Sequence, residues 1–177
     1  DTLYGLAVDP MSDAAVRGLF DLKGRSARAA LPLVAGSARQ IEAACGSLVE
    51  TARRLAAAWW PGPLSLILDA PPAMSVAVHG GSRTIAVRVP SSTIARALAD
   101  AWGGLLTATS ANRAGEPAAV TAGDLGALAD DPRVFIIDGG PSPGGPPSTI
   151  VDARGTSVAR VRDGAIPFTR VLESLRE

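Results

Sequence analysis

The apolar positions of this chain recur at helical spacing through its first third and then switch largely to alternation. Ser12-Asp13 opens a helix whose apolar side is Val16, Leu19 and Phe20; Lys23 continues the spacing and Gly24 stops it. Ser37 with Gln40 reads as a capping box for a second helix that reaches Cys45 and ends at Gly46. A third helix is predicted over 48–60, terminated by Pro61-Gly62-Pro63. Strands are predicted over 64–69, 75–78 and 84–89. Ser91 or Ser92 caps a helix to Trp102, closed by Gly103-Gly104, and a short buried strand follows over 105–109. The remainder reads as a helical stretch at 121–128, a strand at 134–138 and a Gly, Pro and Ser loop at 139–147. A closing hairpin from 148–152 and 157–161 leads to a last helix at 168–175. With no repeat or composition break, the expectation is one mixed α/β domain over 1–177.

Composition narrows the classes. A chain of 177 residues, 47% hydrophobic, buries a core without staples. No apolar run approaches the roughly 18 residues of a membrane span, and no charged-then-apolar leader opens the sequence, so no membrane partner is expected. The lone Cys45 has no disulfide partner, and a reducing, cytoplasmic setting is expected. Seventeen basic residues balance seventeen acidic ones, which provides no general basic field for nucleic acid. Sixteen of those basic residues are Arg; Lys23, the single Lys, reads either as a position where a compact ammonium does what a guanidinium fork cannot or as a leftover surface lysine.

Polar groups fall at the ends of apolar strands, where open α/β sheets bind ligands. Lys23-Gly24-Arg25 lies past a helix end, Arg88 interrupts an apolar strand, and Ser110-Ala111-Asn112 ends another. Ser148-Thr149 begins a third strand and Arg162-Asp163-Gly164 ends a fourth. A charge inside a buried strand needs a partner or a ligand. Taken singly, each also reads as a salt bridge, a helix-end contact or a turn; together they describe an anion site for a polyphosphate with a carboxylate. No G-x-x-x-x-G-K-[ST] or G-x-G-x-x-G is present, His79 lacks a G-x-S-x-G companion, and carboxylates lack metal-ligand spacing.

The runs D-T-L-Y-G-L-A at 1–7, L-K-G-R at 22–25, L-P-L at 31–33, W-P-G-P-L at 60–64, A-V-R-V-P at 86–90, T-S-A-N at 109–112, D-G-G at 138–140, S-T-I-V-D at 148–152 and R-D-G at 162–164 stand in collinear order. In these the chain resembles the Sua5/YciO/YrdC family. The resemblance implies an open, twisted, mixed parallel and antiparallel sheet flanked by helices, with a concave ligand cavity. It implies a threonylcarbamoyl-AMP synthase, joining L-threonine, bicarbonate and ATP (with Mg²⁺ on the phosphates) and releasing pyrophosphate. A partner transferase complex, with possible tRNA or RNA contact, then uses the product to modify adenosine 37 of tRNA. Carried over by position, Lys23, Arg25, Thr84, Ser110, Asn112 and Arg162 look like the ATP side, with Lys23 and Arg25 catalytic. Thr2, Tyr4, Arg88, Ala108 through its backbone, and Ser148 look like the threonine side. The family also implies a helix and strand before Asp1, which this chain lacks. Departures from the pattern are Ser26, Ala29 and Ala30 after K-G-R, Val34 where some members carry a histidine, and Ala118 in place of a serine. The alternatives are a carbamoyl-adenylate former like the domain in hydrogenase-maturation carbamoyltransferases, and a non-catalytic RNA-binding or ribosome-maturation module.

Overall fold

Local hydrogen bonds set the helices, and a computed structural model places them against one six-stranded sheet; it describes residues 1–25 and 30–176. β1 (Gly5–Leu6) leads to α1 (Asp13–Lys23), where Ser12 Oγ accepts from the Ala15 amide at 3.2 Å. Gly24, at φ 61°, ends α1: its amide reaches Asp21 O and the Arg25 amide reaches Phe20 O, a left-handed turn that glycine enters without strain. β2 (Leu33–Val34), α2 (Ala38–Cys45) and α3 (Glu50–Trp59) follow, then β3 (Leu64–Asp69), α4 (Val76–His79) and β4 (Thr84–Arg88). α5 (Thr93–Trp102), capped by Ser92, precedes β5 (Leu106–Thr107) and β6 (Thr109–Ser110). A kinked 3₁₀ stretch (Ala122–Leu128), β7 (Thr149–Asp152), β8 (Ala159–Arg162) and α6 (Phe168–Glu173) complete the order.

The sheet runs β5-β2-β4-β3-β7-β8, with β2–β4 and β3–β7 parallel and the other pairs antiparallel. β1 and β6 form a separate antiparallel pair. Alternation gives the sheet two unlike faces. Leu64, Leu66, Leu68, Ile85, Val87 and Val151 join Val16, Phe20, Ile41 and Leu55 in one continuous core. Fully burying a leucine of this kind contributes about 2 kcal/mol. The other face carries Ser65, Ile67 and Asp69 of β3 and Thr84, Ala86 and Arg88 of β4. At its β5–β2 end, Val34 and Leu106 pack beneath Ala99 of α5.

Five expectations are corrected. Residues 75–78 belong to one turn of helix rather than a strand, because Gly80 at φ 58° closes the turn and Val78 is buried while Val76 is 64% exposed. Residues 134–138 join no ladder and Phe135 is 89% exposed; strand-forming residues make no sheet where no edge receives them. The 105–109 strand divides at Ala108, so that β5 pairs with β2 while β6 pairs with β1. The capping box is one-sided: the Gln40 amide bonds Ser37 Oγ, but Gln40 Oε1 accepts from Gly36. The third helix begins at Glu50, with Val49 as an N-cap that makes no side-chain bond.

Candidate active site

The exposed face of the sheet becomes chemical at one end, where β4 stops and β3 and β7 begin. Antiparallel pairing of Leu66 with Val87 brings Ser65 and Arg88 to the same end and the same face. Parallel pairing of Leu64 with Thr149 puts Ser148 beside them, and pairing of Ile150 with Arg162 adds the end of β8. Arg162 donates from Nε and Nη2 to Ser148 O at 3.1 and 2.7 Å, and from Nη2 to Ser148 Oγ at 3.1 Å. Ser148 Oγ lies 2.9 Å from Ser65 Oγ. Gly164 permits this approach. A Cβ there would stand 2.4 Å from Pro147 O and 2.5 Å from the Thr149 nitrogen, so the R-D-G glycine is a packing requirement.

Arg88 Nη2 lies 3.2 Å from Asp1 Oδ2, and Asp1 Oδ1 accepts from the Ser92 amide at the start of α5. The ion pair is incomplete. Arg88 Nε and Asp1 Oδ2 are both buried and make no hydrogen bond among the described residues. Burial, and then the positive charge of Arg162, push the Arg88 guanidinium below its ordinary pKa; burial does the same to Arg162. Among the described residues, two guanidiniums thus share a corner with one carboxylate, an arrangement that favours a further anion.

Lys23 is the last residue of α1, not a residue beyond it, and is only 3% exposed. It is therefore neither a surface lysine nor a cap for its own helix. Its Nζ donates to Ser110 O, to Asn112 O at 2.9 Å and to Asn112 Oδ1 at 3.0 Å. These three acceptors take all three ammonium protons. Ser110 Oγ also donates to Asn112 Oδ1 at 2.6 Å, and Asn112 Nδ2 donates to Glu116 O at 2.7 Å. Burial, with Arg25 adding like charge, pushes the Lys23 pKa down.

The remaining expected positions sort by distance along these elements. Residues 1–5 link the two groups, since Asp1 reaches Arg88 and Gly5 pairs with Ser110; the Asp1 and Gly5 Cα atoms are at most about 14 Å apart. Thr2 lies beside the 139–147 loop, its methyl 3.7 Å from where a Gly145 Cβ would be. Tyr4 is tied to that loop: its hydroxyl is 2.8 Å from Asp138 Oδ1 and 2.9 Å from Gly140 O. The Ala108 amide bonds Pro32 O at 2.8 Å, beside β2. Thr84 pairs with Asp69 at the other end of β4, about 13 Å from Arg88 along the strand but on the same face. Val34 is in register with Arg88, so its departure from the family pattern falls at the arginine corner. The departures at Ser26 and Ala29 lie outside the described residues. Ser65 escapes sequence reasoning; a lone polar residue within L-S-L-I-L was its only signal.

Fold and site together define a class: a mixed α/β domain whose exposed sheet face ends in a cluster of partly paired cations. The Sua5/YciO/YrdC family model, described as telomere recombination, matches residues 1–164, and this chain belongs to that family. The threonylcarbamoyl-AMP synthase of Pyrococcus abyssi (strain GE5 / Orsay) is 32% identical over 177 residues, 100% of this chain and 52% of that protein. That of Thiobacillus denitrificans (strain ATCC 25259 / T1) is 36% identical over 152 residues, 86% of this chain and 80% of that protein. The chain thus spans about half the length of the first relative and four-fifths of the second. The crystal structure of P. abyssi Sua5 complexed with L-threonine has a TM-score of 0.86 at 32% identity, covering 98% of this chain and 51% of that one. E. coli YciO shares the fold, with a TM-score of 0.75 at 23% identity over 94% of this chain and 81% of that one. The expected open mixed sheet is the one observed. No helix among the described residues is long and apolar enough to cross a membrane.

Proposed function

We propose that this chain carries an L-threonylcarbamoyladenylate synthase activity, forming threonylcarbamoyl-AMP, pyrophosphate and water from L-threonine, bicarbonate and ATP. The observation that carries the reading is the arginine corner: Arg88 and Arg162, both desolvated, with a single incompletely bonded carboxylate between β4 and α5. A substrate carboxylate there completes the charge balance of Arg88. Family membership and the L-threonine complex of the P. abyssi relative support the choice of amino acid.

In the reaction the free amine of threonine adds to the carbon of bicarbonate-derived CO₂, and the carbamate oxygen attacks the α-phosphorus as pyrophosphate leaves. The protein's work is positioning and charge stabilisation. Arg88 orients the threonine carboxylate, with Thr2, Tyr4, Ser148 and the Ala108 backbone around the same substrate. Arg162 and Arg25 face the phosphates, which bring Mg²⁺ with them. Thr84, farther along β4, belongs to the nucleoside end. Lys23 shapes the Ser110–Asn112 turn; it contacts a phosphate once a ligand oxygen replaces one of its present acceptors. The product passes to a tRNA-modifying transferase complex in the cytoplasm. The test is pyrophosphate release by the purified chain with each substrate omitted in turn. Release that requires ATP, L-threonine and bicarbonate together supports the reading; binding without such turnover overturns it.

A further inference from the structure

Ser65 has no role in the assignments above, yet it sits at the centre of the polar corner. It is 3% exposed, lies in β3, one of the two central strands of the sheet, and shares a face with Arg88. Its hydroxyl has one partner among the described residues, Ser148 Oγ at 2.9 Å. Distance alone leaves the direction of that bond open. Either direction leaves one hydroxyl proton without an acceptor among the described residues, that of Ser65 at 3% exposure or that of Ser148 at 7%. An acceptor oxygen bound on the Arg162 side resolves this, with Ser65 donating to Ser148 and Ser148 to the ligand. Ser148 Oγ then receives both this proton and one from Arg162 Nη2 at 3.1 Å, which fills its two lone pairs. Its own proton is then free for the bound acceptor.

We infer that Ser65 is a positioning residue that makes Ser148 an obligate donor, so that this corner reads an acceptor oxygen of the bound amino acid and rejects a donor placed there. The inference rests on the synthase reading for the identity of that amino acid. Its geometry belongs to the Arg162–Ser148–Ser65 chain alone. The gain on binding comes from the added bond, which leaves neither hydroxyl proton unpaired.

The experiment compares wild type, Ser65→Ala and Ser65→Thr in the pyrophosphate assay, varying L-threonine and ATP separately, with thermal melts alongside. Ser65→Ala raises the L-threonine half-saturation about five- to tenfold and leaves that for ATP within twofold. Ser65→Thr, which retains the donor, stays within threefold of wild type for L-threonine. An Ala variant unchanged toward L-threonine, changed equally toward both substrates, or matched by the Thr variant overturns the inference. Should the Thr variant melt early, Ser65→Cys replaces it: a weak donor gives a half-saturation between wild type and Ala, and one equal to Ala overturns the inference. Wild type without L-threonine-dependent turnover overturns the synthase reading, and this inference with it; active wild type with an indifferent Ser65 overturns this inference alone.

Discussion

Replacing Lys23 by methionine removes an ammonium while keeping a long unbranched side chain, and the hydrogen bonds show what is left behind. Ser110 O keeps the Asn112 amide at 3.1 Å, and Asn112 Oδ1 keeps the Ser110 hydroxyl at 2.6 Å. Asn112 O retains no other partner among the bonds described. The loss is thus one orphaned carbonyl and two weakened acceptors, offset in part because a desolvated cation is no longer buried. The net cost is about 2 kcal/mol, where an orphaned acceptor alone costs about 1–3 kcal/mol. For a domain of this size that lowers the melting temperature by about 4–8 °C. Lys23→Arg conserves charge but pushes a planar fork into a site 3% exposed, and costs about 1–3 kcal/mol by overpacking. Urea and thermal unfolding of both variants check this. If both unfold with the parent, the ammonium does not hold the T-S-A-N turn and the reasoning fails.

Arg88→Ala should raise the L-threonine half-saturation far more than that for ATP, by about 2–5 kcal/mol in apparent binding, and equal effects in the pyrophosphate assay would reject the assignment. Gly164→Ala should destabilise by about 3 kcal/mol, because the new Cβ meets backbone atoms of residues 147–149 at 2.4–2.5 Å; a calorimetric melt close to wild type would show that the loop yields. Hydrogen bonds from Arg133 hold the Asp131 carboxyl down at about 2. Its folded-state pKa lies below its unfolded one, so its contribution is present above about pH 4 and disappears as pH falls through about 2. Carbon-detected titration of Asp131 with a midpoint near 4 would contradict this.

Residues that act through near neighbours were legible in the order of amino acids. Ser12, Ser37 and Ser92 cap helices through amides three residues away, and Gly24 and Gly103 turn the chain in left-handed conformations. The alternation of 64–69 and 84–88 likewise identifies strands, since one face of each is buried. The collinear motifs contain Arg88, Ser148 and Arg162, which the sheet brings to one corner. What needed the tertiary structure was every feature that depends on a distant partner. The apolar stretch at 134–137 and the valines at 76 and 78 have strand-forming residues, but no ladder receives them. Lys23 reads as lying past a helix end, because the acceptors that hold it are 87 and 89 residues away. Ser65 is an unremarkable hydroxyl in an apolar strand until parallel pairing of β3 with β7 brings Ser148, 83 residues later, within hydrogen-bond reach. Local bonds are set by spacing along the chain, whereas the worth of a buried charge or hydroxyl is set by what the closed sheet places opposite it.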